Sequence, residues 1–250
     1  MRLSHEETTF WYGCALRAAG LPAGAVPAAI AMIQWAEIRH GLGVAYFDRR
    51  AATLALNAGA MRLRADNAID GGGQSSLLVG PALLDIAIVA AKTQGRATIA
   101  ADNIGDAGWL GQLCDVAAER GLTAVLSFTA LGSDAVDLAQ LYSARRTIAA
   151  LPDGTAIEWN MAVALPGHAP ETQNVTLTVA DPARDAGFAA HILAAADGAT
   201  ILTRDDVAAR YRDAMRHGMD VDAAAWRRLA QRAFTVLAQS TEQSLRGAGA

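Results

Sequence analysis

Lysine is almost missing from this sequence: Lys92 stands alone, and arginine supplies every other basic side chain. In so alanine-rich a chain this reads as a codon bias, with Lys92 an exposed residue near a helix end. Cysteine is nearly as scarce. Cys14 and Cys114 are far apart, each among aliphatic neighbours at helical spacing, which predicts inert buried thiols rather than a metal pair. An excess of positive charge is also lacking, since the formal net charge is −4. That argues against nucleic acid and anionic membranes as partners. The polar start, Met1 to Glu7, has no apolar segment of the kind a secretory signal needs. No apolar run reaches the ~20 residues of a membrane span without a charge or glycine in it. A cytoplasmic protein is therefore expected, where the Asn174-Val175-Thr176 sequon carries no meaning. His5, His168, His191 and His217 are scattered without metal-ligand spacing. Neither a G-x-S-x-G elbow, a G-x-G-x-x-G fingerprint nor a Gly-Lys-Ser/Thr loop occurs.

Apolar residues are plentiful. They make up 52% of 250 residues against 18% charged, a balance that builds a core and excludes disorder. Ser4 caps a first helix of Thr8 to Ala19, with Phe10, Trp11, Cys14, Ala15 and Ala18 on one face, ended by Gly20-Leu21-Pro22. Helices follow over about 23–39, with Ile30, Ile33, Trp35 and Ile38 as core candidates, and over about 45–58. A polar strip from Arg62 to Asp70 leads to a glycine-rich loop. Pro81 is then expected at a helix start, and the helix continues to Thr93. A buried strand spans Arg96 to Ala101, a second loop Asp102 to Gly108, a helix Trp109 to Arg120, and a strand Thr123 to Phe128. Further on, strands are expected over 147–150, 156–165, 174–179 and 200–203, with helices over 185–196, 205–217 and 222–239. Loops, helices and strands in this alternation predict an α/β fold in which helices are layered on a mixed sheet. No repeat or linker divides the chain. One domain over 1–250 is expected, with two lobes, about 1–130 and 131–250, as the alternative.

Three places could carry chemistry. Asp70-Gly71-Gly72-Gly73-Gln74-Ser75-Ser76 offers three glycines and two hydroxyls before a helix N-terminus, a place suited to an anion; the plain alternative is a turn without ligand. Asp102-Asn103 through Asp106 follows a strand at its carboxyl end, where α/β proteins place ligands. Its side chains could bind a ribose hydroxyl, a metal or an amine, or serve only as Asx turns and caps. His40 precedes Gly41 at a helix end, where it either caps or acts as a general acid and base.

Two family resemblances rest on these segments. Leu16-Arg17-Ala18-Ala19-Gly20-Leu21-Pro22, Ala36-Glu37-Ile38-Arg39 with His40-Gly41, Asp70-Gly71 with Gln74, and Asp102-Asn103 through Ala117-Ala118-Glu119-Arg120-Gly121-Leu122 together resemble the malate/L-lactate-type dehydrogenases that do not use the Rossmann fold. The likeness covers about residues 14–130. Gly105 and Asp106 stand where that family carries a second histidine. Separately, Ser76-Leu77-Leu78-Val79-Gly80-Pro81-Ala82-Leu83-Leu84-Asp85, Trp226-Arg227-Arg228-Leu229 and Glu242-Gln243-Ser244-Leu245-Arg246-Gly247-Ala248-Gly249-Ala250 are similar to an uncharacterised bacterial domain of this length. The dehydrogenase resemblance implies that family's fold, a homodimer, NAD or NADP, and a small carboxylate substrate. It implies a cofactor site at Asp70, Gly71, Gly72, Gly73, Gln74, Ser75, Ser76, Asp102 and Asn103, with His40 and Asp106 as the catalytic pair. A redox-silent relative is the alternative, serving as a ligand-binding or accessory subunit or using Asp and Glu for hydrolysis or isomerisation. Glu242, Ser244 and Arg246 are expected either to fray or to close over the glycine-rich loop or over a partner subunit.

Overall fold

The structure is a computed structural model and describes residues 1–64, 68–129, 144–162 and 173–236. The chain starts with a short strand, β1 (Arg2–Leu3), and helix α1 (His5–Ala18). Ser4 accepts from the Glu7 N–H at 3.1 Å while the Glu7 carboxylate accepts from the Ser4 N–H at 2.8 Å, a reciprocal cap that sets the helix start. Phe10 departs from expectation: it is 52% exposed, and the buried face runs through Thr8, Tyr12 and Gly13 to Leu16. Helix α2 (Val26–His40) ends where Gly41 turns left-handed at φ 68°, a conformation that costs glycine little. Helix α3 (Gly43–Arg50) is shorter than its sequence suggests. Thr53 closes a turn onto the Arg50 carbonyl through its N–H (2.8 Å) and its hydroxyl (3.1 Å).

Two short strands, β2 (Arg62–Leu63) and β3 (Ile69–Asp70), fall at the two ends of the polar strip. Helix α4 (Ser76–Gln94) then starts earlier than Pro81, which lies inside it; the N-cap is Ser75, whose hydroxyl accepts from the Leu77 N–H. By length and composition α4 could cross a membrane, yet Leu77, Val79, Leu83, Leu84 and Ala87 are buried in the core. There follow β4 (Arg96–Ile104), α5 (Gln112–Glu119), β5 (Thr123–Thr129), β6 (Ala144–Ala150), β7 (Ala156–Ala162) and β8 (Gln173–Ala180). The last described elements are α6 (Gly187–Ala194), β9 (Thr200–Leu202), α7 (Arg204–His217), β10 (Met219–Asp220) and α8 (Ala223–Ala233). The expected final helix thus gives way at Phe234 to a 3-10 turn. Glu242, Ser244, Arg246 and the Gly-Ala-Gly-Ala end lie outside the described residues, as does His168.

An eight-stranded mixed sheet of order β2-β3-β4-β8-β5-β6-β7-β9 organises the fold, and β1 pairs with β10 separately. Only β3 and β4 run parallel among the described pairs; the rest are antiparallel. Alternation along β6 sorts two cores. Ile148 and Ala150 join the large cluster under α1 to α5, while Ala149 joins a smaller one with Ile157 and Ile192, because successive strand residues face opposite sides. Both cysteines are buried. Gly111 permits the closest contact in the large core: a Cβ there would come 2.1 Å from the Trp35 ring.

Candidate functional site

The parallel β3/β4 pair sets Asp70 beside Asp102 in register, and the chain leaves both strands at the same edge. Two candidate segments are thereby brought together. Asp102 and Asn103 are not loop residues but belong to β4, which continues to Ile104 through a register shift. Asn103 makes that irregularity with a left-handed φ of 59°, which asparagine tolerates better than most residues.

The glycine-rich turn is tied to this strand by its own backbone. Gly71 N–H donates to the Asp102 carbonyl at 2.8 Å, Gly73 N–H to the Asn103 carbonyl at 2.7 Å, and Gly105 N–H to the Gln74 carbonyl at 2.9 Å. Gly71 allows this approach, since a Cβ would sit 2.9 Å from the Asn103 oxygen. Gly72 N–H donates to Asp70 Oδ1 at 2.9 Å, Gln74 N–H to the Gly71 carbonyl and Ser75 N–H to the Ala55 carbonyl. Ser76 N–H donates to Asp106 Oδ1 at 2.8 Å, and so does the Ser75 hydroxyl at 3.0 Å. Every amide from Gly71 to Ser76 therefore has a partner within the chain, and a carboxylate already faces the N-terminus of α4. The amide cradle expected for a pyrophosphate does not fit that group, because binding it would require breaking these bonds.

Asp106 itself is 1% exposed. Burial pushes its carboxyl up to about 6, opposed by the Ser76 N–H, the Arg50 charge and the Ser75 hydroxyl. Arg50 also donates to the Gly105 carbonyl. The side chains left facing outward are those of Asp70, Asp102 and Asn103. Asp70 is held below the usual carboxylate range by the Gly72 N–H, by Asn103 and by the charges of Arg64 and Arg62, and Asp102 pairs with Arg64 at 2.8 Å.

His40 packs with a different group of residues. Its ring meets Trp35 edge-on at 5.2 Å, and Nε2 lies 3.8 Å from Glu158 Oε1. Arg39 is wholly buried and reaches 3.7 Å from Asp115 and 3.8 Å from Glu158. Its guanidinium nitrogens make no hydrogen bond among the described residues, though the group stands over the Trp35 ring. Trp35 Nε1 donates to Asp115 Oδ2 at 2.8 Å. Burial raises the Asp115 pKa, against the opposing charge of Arg39 and the Trp35 bond. Asp115 and Glu158 belong to no sequence motif, and Arg39 enters only through the family resemblance. The available signal was charge inside apolar runs, Leu113-Cys114-Asp115-Val116 and Ile157-Glu158-Trp159, since such groups are seldom buried unless paired.

Asp115 also opens onto a cleft of about 530 Å³ between α5, the β6–β7 turn and α7. That volume is within the usual range for small-molecule sites.

No protein-family profile matches the chain, and no curated protein matches it. Solved structures do. The chain is similar to a dehydrogenase from Sinorhizobium meliloti, with 15% identity and TM-score 0.70 over 93% of this chain and 99% of that one. It resembles a malate dehydrogenase from Pyrococcus horikoshii at 13% identity and TM-score 0.69, over 96% and 97% of the two chains. A delta1-piperideine-2-carboxylate reductase from Pseudomonas syringae matches at 13% identity and TM-score 0.61, over 93% and 99%. The α/β fold is thus that of malate/lactate dehydrogenase-like proteins, with helices layered on a mixed sheet as expected.

Proposed function

We propose that this chain is an oxidoreductase-like cytoplasmic protein, working as a homodimer, that binds a nicotinamide nucleotide and a small carboxylate substrate. The observation carrying the reading is that the likeness to dehydrogenases and a reductase spans nearly all of both chains. When bound, the nucleotide supplies or accepts hydride. Its ribose hydroxyls suit the outward carboxylates of Asp70 and Asp102 and the Asn103 amide; the Gly71–Ser76 segment serves as a wall of the site, and Asp106 holds that wall in place. His40 packs apart from these residues, beside Trp35 and 3.8 Å from Glu158, and its proposed role as proton donor or acceptor requires the substrate to extend to it.

One observation favours a second reading, a redox-silent relative that binds a ligand without hydride transfer. Asp106 occupies the position at the head of α4 where an anion would bind, so the amides offer no place for a pyrophosphate.

A thermal-shift titration of the purified protein with NAD, NADH, NADP and NADPH separates the two. A nucleotide at about 100 times its dissociation constant stabilises the native state by roughly 2.7 kcal/mol, several degrees in Tm. A shift with any of the four supports the oxidoreductase reading, and His40→Gln should then keep the shift while abolishing turnover of 2-oxo acids. No shift at millimolar nucleotide sinks that reading and leaves the redox-silent one.

A further inference from the structure

The cleft beside Asp115 has its own charge logic. One wall is α5, where Asp115 and Glu119 face the cleft; the opposite wall is α7, from Arg204 at its start to Tyr211 at its middle. Glu119 and Arg204 are exposed and form no ion pair with any described residue. The aliphatic stem of Arg204 lies on Gly154, close enough that a Cβ there would meet Arg204 Cγ at 2.8 Å. Ala118, Val207 and Ala208 supply an apolar surface between the charges.

Asp115 does not compete for a ligand's cation unaided, because the buried Arg39 faces it at 3.7 Å. Behind the cleft the positive and negative charges of Arg39 and Asp115 offset each other. At the mouth Glu119 and Arg204 have no ion-pair partner among the described residues. The Tyr211 hydroxyl is also without a hydrogen bond to any described residue; burial and then the neighbouring charge of Asp115 raise its pKa, so at neutral pH it is a neutral donor and acceptor.

From this arrangement we propose that the α5/α7 cleft is a binding site for a small zwitterion, an aliphatic α-amino acid, with its carboxylate on Arg204, its ammonium on Glu119 and its side chain against Val207 and Ala208. A planar guanidinium meets a carboxylate with two parallel hydrogen bonds. A lone carboxylate ligand would leave Glu119 unanswered and a lone amine would leave Arg204 so. This site does not depend on hydride transfer and is present whether or not a nucleotide binds.

Calorimetric titration with L-leucine tests it, beside isovalerate and isoamylamine, which keep the branched chain but carry one charge each. Saturable binding of leucine is expected, with each single-charge probe at least ~10-fold weaker, about 1.4 kcal/mol. Arg204→Met, which keeps a stem on Gly154, and Glu119→Gln should each weaken leucine by a similar factor without moving Tm, as both charged groups are exposed. The proposal is overturned by no saturable heat with millimolar leucine, by a single-charge probe binding as well as leucine, or by leucine binding that neither variant weakens.

Discussion

Ser76 and Asp106 meet across thirty positions of sequence, the Ser76 N–H donating to Asp106 Oδ1 at 2.8 Å in a site closed to solvent. The Ser75 hydroxyl donates to the same oxygen at 3.0 Å. One carboxylate thus caps α4 and joins the glycine-rich turn to the end of β4. Asp106→Ala should leave the Ser76 N–H buried without a partner and the Ser75 hydroxyl with only the Leu77 N–H, costing about 1–3 kcal/mol. Asp106→Asn keeps an acceptor and should cost less. Urea unfolding of both variants measures the difference, and equal losses would show that charge rather than the acceptor matters.

Glu37 carries a pH dependence whose sign follows from its surroundings. Burial raises its pKa to about 7 from a usual 4.5, opposed by the Val44 and Gly43 N–H groups. The folded state therefore holds this proton more tightly than the unfolded chain. Stability should fall as pH rises from about 4.5 to 7 and level off above, a loss of ~3 kcal/mol from this group. Asp106, raised in the same direction, adds to the slope at its acidic end. Chemical denaturation at a series of pH values should show a shallower slope in Glu37→Gln; an unchanged slope would refute the assignment.

Arg39 is one cation shared by two carboxylates, the buried Glu158 and the half-buried Asp115. Arg39→Met removes the cation that faces both, leaving Asp115 its Trp35 bond and Glu158 its His40 contact, and should destabilise the fold by roughly 3–5 kcal/mol at neutral pH. The triple change Arg39→Met, Asp115→Asn, Glu158→Gln should recover most of that loss, because the penalty is for unpaired charge. Thermal melts compare the two, and a triple variant as unstable as the single one would argue for lost packing instead.

Gly111 is held small by its neighbours. Gly111→Ala places a methyl 2.1 Å from Trp35 Cη2 and 2.7 Å from Ile148 Cδ1, so the indole must move. A cost of about 1–3 kcal/mol is expected, along with a change in the near-ultraviolet circular dichroism of the tryptophans.

What the sequence determined by itself was local. The cap at Ser4 and the break at Gly41 both rest on residues within a few positions of one another, where backbone geometry and capping chemistry act directly. The same local reading put Pro81 at a helix start, because nothing nearby reveals that Ser75 caps the helix first. The resemblance to the dehydrogenases, carried by Glu37-Ile38-Arg39, Asp70-Gly71 and Asp102-Asn103, pointed to the fold that the structure has. Other features were decided only by tertiary structure. Strand β8 comes late in the chain yet lies between β4 and β5; periodicity predicts a strand but names no partner. The tying of the glycine amides to β4, Asp106 beneath α4, and Arg39 between Asp115 and Glu158 each join residues about thirty or more positions apart. Such contacts form because buried charges and backbone donors must find partners wherever the packed core brings one within reach, and that proximity is a property of the folded chain.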